Sequence, residues 1–476
     1  MNSVAIIGGG ITGLTAAFRL GQKNIPVTLY ESSGRVGGVI QSVRKGGYLA
    51  EYGPNTILET SPTIGALIVD LGLAGRRQCA DKNAEKRYIV RDGKPVALPG
   101  SPAAFMATRL FSTRAKARLL AEPFIRRAPA TCEESLGEFV RRRIGREFLD
   151  YAINPFVAGV YAGDPDRLSV KHAFPRLHAL EQRYGSLLVG QFLGARERRR
   201  RAETSKQNAK KVSFDDGLQV LIDALQRRLD GSVRLNSPVI AVREAADGWE
   251  VTSSNDGAWH SAKHSSVVFA GPAYKLPEIR LTTEHHVHYA ALAQIDHPPV
   301  SSVVLGFRRE DVAHPLDGFG MLVPEVEGFR ILGTLFSSSL FPGRAPAGHV
   351  TLTSYIGGAR APALAALGTD ELVELTLRDL RTVLGVKGRP AFVHRAFFRH
   401  AIPQYEVGYG RFKTLMNEIE TRAPGFFLAG HYRDGVSLGD SIVSGHNVAG
   451  RIGSFLASKP AGTRTGPCDH PIRVAA

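Results

Sequence analysis

Cysteine is scarce in this chain. Of its 476 residues only Cys79, Cys132 and Cys468 are cysteines, far apart and odd in number. They offer no disulfide framework and no metal-ligand spacing, and they fit a reducing compartment. No window holds about 18 uninterrupted apolar residues, which argues against a membrane-spanning helix. Zinc-finger spacings, RNA-binding signatures and internal repeats are missing, so nucleic acid is not an expected partner. No targeting segment is evident: the first apolar run, Val4 to Ile7, passes straight into glycines and reads as a strand. Without such a segment the expected location is the bacterial cytoplasm or the inner-membrane surface, although a mature organellar chain would look similar. Acidic residues are the minority, 44 Asp and Glu against 60 Lys and Arg, for a formal charge of +16. A basic surface attracts anionic lipid or an acidic small molecule.

What is present begins with a βαβ unit. Val4–Ile7 is short and wholly apolar, like a strand buried on both faces. Glycines follow, then helix formers from Leu14 to Leu20, then a second apolar run from Val27 to Tyr30. Pro95 to Pro102 reads as a loop, and Phe105 to Arg127 carries basic residues at roughly helical spacing. Thr131-Cys132-Glu133-Glu134 matches a capping box and predicts a helix start. Arg196 to Lys211 is dense in positive charge and reads as a loop or helix end. Strands are expected at Val233–Ala241, Trp249–Ser253 and Val267–Ala270, with a turn at Asn255-Asp256-Gly257. More follow at Val300–Phe307, Phe319–Val323, Ile331–Phe336, Val350–Ile356 and Phe426–Gly430, with helices at Asp370–Leu384 and Ser441–Leu456. The tail from Lys459 is rich in proline and glycine and reads as disordered.

The first chemistry-bearing motif is Gly8-Gly9-Gly10-Ile11-Thr12-Gly13, between a strand and a helix. The first glycine permits the tight turn, the second lets backbone approach a pyrophosphate, and the third lets helix and strand pack closely. The helix N-terminus faces the phosphates. Glu31, 18 residues after Gly13, can accept both ribose hydroxyls. The motif does not separate FAD from NAD. Two features favour FAD. Arg35-Val36-Gly37-Gly38 can bring a cation and close backbone to the same pyrophosphate. Near the other end, Gly430-His431 through Gly435-Val436-Ser437-Leu438-Gly439-Asp440-Ser441 is a second glycine-rich strand-to-helix turn, whose dipole would favour negative charge on a reduced flavin.

These segments resemble the amine oxidase and protoporphyrinogen oxidase superfamily. Glu51-Tyr52-Gly53-Pro54-Asn55-Thr56, Lys86 to Gly93, Asn154 to Pro165, Gly318 to Pro324 and Leu332 to Ser338 narrow the likeness to protoporphyrinogen oxidases. It runs from Val4 to about Leu456. The implied fold class is α/β: a Rossmann-like FAD-binding domain of glutathione-reductase-like type (1–94, 206–271 and 426–458), a mixed α+β substrate domain (272–425), and a helical insert (95–205) similar to the family's membrane-binding domain.

The resemblance further implies where ligands sit. Gly8 to Gly13 (Gly9, Gly10, Ile11 and Thr12 included), Glu31, Arg35 and Gly38 would hold the ADP half of non-covalent FAD. Gly53, Pro54, Asn55 and Thr56 would pass the flavin ring, Val239 the adenine side, and His431, Val436, Ser437 and Leu438 the isoalloxazine end. Arg91 would anchor a substrate propionate. Leu322 and Leu335 would sandwich a pyrrole, Gly159 would offer backbone to the macrocycle, and Tyr355 stands where plant members carry phenylalanine. No metal and no protein acid or base is assigned. The implied reaction takes protoporphyrinogen IX to protoporphyrin IX by hydride transfer from a meso carbon to flavin N5, with O2 reduced to H2O2. Expected partners are the porphyrinogen, O2, an anionic membrane surface and a second copy of the chain. The alternatives are coproporphyrinogen III as substrate, a flavin amine oxidase, and a non-enzymatic carrier of the same fold.

Overall fold

The structure is a computed structural model, and it describes residues 3–129, 132–191, 193 and 209–458. Thr131, the basic stretch 196–208, and the tail with Cys468 lie outside those residues.

Five parallel strands form the first sheet, in the order Val233–Arg234, Val27–Tyr30, Val4–Ile7, Ser266–Phe269, Phe426–Leu428. The strands Val4–Ile7 and Ser266–Phe269 are buried throughout, as a sheet covered on both faces requires. Against it pack the helices Ile11–Gly21, Gln219–Arg228 and Leu438–Ser458, which share one apolar core with it. The first helix begins at the glycine turn itself, three residues before the expected Leu14, because Gly10 serves as its N-cap.

The second sheet has seven strands, in the order Phe392–Phe398, Val300–Arg308, His349–Gly357, Ile331–Leu335, Gly318–Leu322, Lys86–Arg91, Lys94–Ala97. All neighbours are antiparallel except Gly318–Leu322 and Lys86–Arg91, which run parallel. The amphipathic helix Thr369–Leu384 closes one face through Leu372, Leu377, Leu380 and Leu384. Lys86–Arg91, grouped with the nucleotide domain from sequence, and Lys94–Ala97, which straddles the expected boundary with the helical insert at 94/95, both belong to this sheet. Pro95, expected in a loop, lies in its edge strand, a position where a missing N–H is tolerated.

The expected meander is a sheet of its own. Val239–Ala245, Gly248–Asn255 and Ala258–His264 run antiparallel, with Arg280–Thr282 beside the first. Asp256 and Gly257 turn its hairpin with φ of 47° and 80°, the left-handed pair a tight hairpin needs. Lys210 and Lys211 close the basic stretch not as loop but in a strand, Lys210–Phe214, paired with Ile57–Glu59 and Arg77–Cys79.

Residues 102–184 are mainly helical: Pro102–Ala107, Thr113–Leu120, Leu136–Arg143, Asn154–Tyr161 and Pro175–Tyr184 are the longer elements. The capping box falls four residues later than expected. Ser135 Oγ accepts the Glu138 N–H at 3.1 Å while Glu138 accepts the Ser135 N–H at 2.9 Å. Glu134 is taken instead by Arg142, at 2.6 and 2.8 Å. Behind this helix Arg143, Glu122 and Glu181 form a buried ion cluster, completed by Ser186 Oγ and the N–H groups of Leu187 and Leu188. No helix among the described residues is long and apolar enough to cross a membrane.

Candidate functional site

The C-terminal ends of the parallel strands bring the first glycine motif, Glu31, Gly271 and Gly430 to one edge. Gly8 has φ 108°, and a Cβ there would stand 2.9 Å from Gly271 N. A Cβ on Gly13 would collide with the Gly8 carbonyl, whereas one on Gly10 would meet nothing within 4 Å. Gly8 and Gly13 are thus glycines for packing, and Gly10 is one that leaves open space over a helix N-terminus with no side-chain cap. Such an end binds anions. Gly38 (φ 58°) lies against Gly10, and the Gly37 N–H donates to Gly9 O at 2.8 Å. The second glycine segment therefore roofs the first.

Glu31 is held in place at the end of the second strand. Its carboxylate accepts the Gly9 N–H at 2.7 Å and the Ser33 N–H at 2.8 Å. Its carbonyl accepts the Ser237 N–H at 2.8 Å, which brings the segment leading to Val239 alongside. Arg35 is oriented otherwise than expected. Its guanidinium donates to the carbonyls of Val36, Ile40 and Gly38, the last at 2.6 Å, and so braces its own loop. Ile11 and Thr12 are buried in the first helical turn, and Thr12 Oγ1 donates to Ser441 O at 3.1 Å. That bond ties the two glycine-rich turns together. In the second turn Ser437 and Asp440 cap each other reciprocally, at 3.2 and 3.1 Å. Tyr405 Oη donates to His431 O and accepts the Gly435 N–H, fixing His431 relative to Val436 and Leu438.

The face of the seven-stranded sheet opposite the helix Thr369–Leu384 carries two rows of register partners. One row of register partners runs Ile89, Leu322, Gly333, Tyr355, Ser302, Ala396, and the next runs Arg87, Gly320, Leu335, Thr353, Val304, His394. Gly333 stands between the part-exposed Leu322 and Tyr355 as a packing glycine, since a Cβ there would lie 2.7 Å from Met321 O and 3.3 Å from Leu322 Cδ2. The helix Asn154–Tyr161 closes over the row, with Gly159 so near that a Cβ would lie 2.5 Å from Leu322 Cδ2. Gly53, Pro54, Asn55 and Thr56 cross the same face, and Asn55 Nδ2 donates to Tyr355 Oη at 2.6 Å. Burial raises the Tyr355 phenol, and the Glu51 carboxylate raises it further. The part-exposed side chains of Leu322, Leu335 and Tyr355, beneath the helix Asn154–Tyr161, outline the candidate slot.

Arg91 does not enter this slot. It donates to Leu110 O at 2.9 Å and to Glu147 at 3.1 Å, and its guanidinium stacks 3.9 Å from the Tyr151 ring. The cation that shares a row with Leu335 is Arg87, the register partner of Gly320. Burial lowers the Arg87 pKa. Lys211 stands close by, its Nζ 5.7 Å from the Phe319 ring; burial and then the Arg87 charge lower its pKa. Sequence reasoning missed both. The signal was the strand period: Arg87 and Ile89 face the slot, and two residues further on Arg91 has run under the helical insert.

An open, uncapped helix end, a carboxylate held at the end of the second strand and a second helix N-terminus tied to the first through Thr12 and Ser441 fit a dinucleotide carrying a flavin. The fold and this cradle define a flavin-dependent oxidoreductase. Residues 11–453 match the flavin containing amine oxidoreductase family. Protoporphyrinogen oxidase 2 of Arabidopsis thaliana is 37% identical over 96% of this chain and 94% of its own length. Coproporphyrinogen III oxidase of Bacillus subtilis is 30% identical over 96% and 98%. The chain belongs to the flavin containing amine oxidoreductases and, within them, to the porphyrinogen oxidases. In fold it is similar to a solved chain from Exiguobacterium sp. 255-15 (TM-score 0.78, 24% identity, 96% of this chain and 99% of that one). It is also similar to cyclohexylamine oxidase from Brevibacterium oxydans (TM-score 0.68, 17% identity, 96% and 99%).

Proposed function

We propose that the chain oxidises protoporphyrinogen IX to protoporphyrin IX, with non-covalent FAD in a nucleotide domain of glutathione-reductase type and O2 as electron acceptor. The observation that carries this reading is the Leu322–Gly333–Tyr355 row beside the cradle. A porphyrinogen is a large, puckered, mostly apolar ring with carboxylate tails, and it needs a greasy slot with cations at the rim. A bound flavin supplies the hydride acceptor. The chain's own residues do the rest: Leu322, Leu335 and Tyr355 orient the ring, and Asn55 fixes the Tyr355 hydroxyl. The purified protein should be yellow, bleach anaerobically with protoporphyrinogen IX, and form fluorescent porphyrin in air. A colourless protein, or a flavin that stays oxidised, overturns the proposal.

The pairing of Lys211 with Arg87 favours a second reading, coproporphyrinogen III, whose four propionates suit two cations at one rim. The ratio of kcat/KM on the two substrates decides between them.

The helical insert carries a surface suited to anionic lipid. Phe124, Leu120 and Met106 are 88%, 64% and 59% exposed. Exposed Arg109, Arg114, Arg126 and Arg127 surround them. Apolar side chains set among cations are the composition of an interfacial anchor. A poorly soluble substrate drawn from the bilayer would enter beside Gly159.

A further inference from the structure

Two imidazoles stand together where the strands Ser266–Phe269 and Phe426–Leu428 end, and nothing assigned above uses them as a pair. Their ring centroids are 5.9 Å apart and the rings are perpendicular, at 89°. His297 is buried, and its Nδ1 lies 2.8 Å from Ile295 O. A carbonyl only accepts, so Nδ1 carries the proton and Nε2 is a bare lone pair. That Nε2 is buried without a hydrogen-bond partner, and so is the Nε2 of His431. Buried nitrogens of this kind are normally satisfied. One proton added to these neighbouring rings would supply a donor to match the bare acceptor.

The surroundings keep both rings neutral until a charge arrives. Tyr274 packs on His297 at 5.1 Å and on the exposed His400 at 4.5 Å. Tyr432 lies 6.2 Å from His431. Asp296 raises the His297 pKa only weakly, Arg433 is engaged by Glu420, and Asp434 accepts from Ser444. Neither ring meets a carboxylate within hydrogen-bond reach among the described residues. Burial lowers His297 to about 4 and His431 to about 4. A negative charge brought close raises such a pKa, and the Tyr405 bridge fixes His431 beside the turn assigned to the flavin end.

We propose that His431, with His297 behind it, holds the proton that leaves a pyrrole N–H during oxidation, so that each flavin reduction takes up a second proton at the pair. The step balances. The substrate loses a hydride to the flavin and a proton to the pair, and gains one double bond. Reoxidation returns the electron pair and hydride hydrogen, with the stored proton, to O2 as H2O2. The proposal rests on the flavin porphyrinogen oxidase reading.

The test is the midpoint potential of the bound flavin across roughly pH 5.5 to 7.5, in the wild type, His431→Gln and His297→Gln. Its slope counts protons per electron pair. The wild type should take up two protons at the acid end with the reduced spectrum of the anionic ring, and each variant one. Reoxidation by O2 should slow about tenfold or more in the variants, as when a positioned acid is lost. Variants that keep the wild-type slope, or a reduced spectrum of the neutral ring, overturn the proposal. A flavin that passes the slope test but is not reduced by either porphyrinogen sinks the functional reading alone.

Discussion

Arg87 and Arg91 sit two positions apart on one strand and do different work. Arg91→Met breaks the contacts to Glu147 and Tyr151, so it should lower the melting temperature with little change in KM. Arg87→Met should weaken porphyrin binding by about 1.5–3 kcal/mol, the worth of a charged hydrogen-bonded contact. Fluorescence quenching by a dicarboxylate porphyrin and thermal denaturation separate the two effects. Gly333→Val should lower the melting temperature, because a Cβ at that position would press on the Met321 carbonyl and the Leu322 side chain. The tight turn at Gly8 and the close helix–strand packing at Gly13 were legible in sequence, because both act through local spacing. The choice of Arg91 over Arg87 was not. Which residue of Lys86–Arg91 lies over the slot depends on its bulged pairing with Gly318–Leu322, a partner more than 200 positions away. Arg35 was misread for a related reason: a cation beside glycines can serve a ligand or its own loop, and only the folded path of Val36 to Ile40 chooses.

Helices and strands with a clean period were legible almost to the residue, Val4–Ile7 and Thr369–Leu384 among them. The edge strand Phe392–Phe398 was passed over. Its burial alternates irregularly, with Arg395 and His394 between apolar positions, and it is a strand because Val300–Arg308 pairs with it. At this scale the insert's ion cluster makes a pH prediction. Burial raises the Glu181 carboxyl, but hydrogen bonds from Arg142 and Arg143 outweigh it, so the group titrates below its usual range. A carboxyl depressed in the native state stabilises above its unfolded pKa, and that stability is lost as pH falls through the native value. Melting temperature should therefore drop from about pH 5 to pH 3, and less steeply in Glu181→Gln. Removing one partner, as in Arg143→Met, should cost about 3–5 kcal/mol at neutral pH, because a buried carboxylate is left without its cation.

For the whole molecule, the helix Asn154–Tyr161 of the insert packs on the seven-stranded sheet at Leu322. If the insert's exposed apolar side chains dip into headgroups, the protein should float with vesicles rich in anionic lipid, and Phe124→Ser with Leu120→Ser should release it while turnover of detergent-dispersed substrate persists. Raising salt should weaken the interaction by screening Arg109, Arg114, Arg126 and Arg127.

The Thr12–Ser441 bond has a consequence in time. Ser441 belongs to the final helix, where a Cβ on Gly445 would collide with the Thr12 carbonyl, and the nascent chain must emerge almost to its end before that helix can dock. During synthesis the opening βαβ unit waits with its phosphate loop unsupported while some four hundred later residues are made. Cofactor capture is then a signal of completion: prematurely stopped chains should carry no flavin, remain open at that edge, and be the first substrates of cellular proteases.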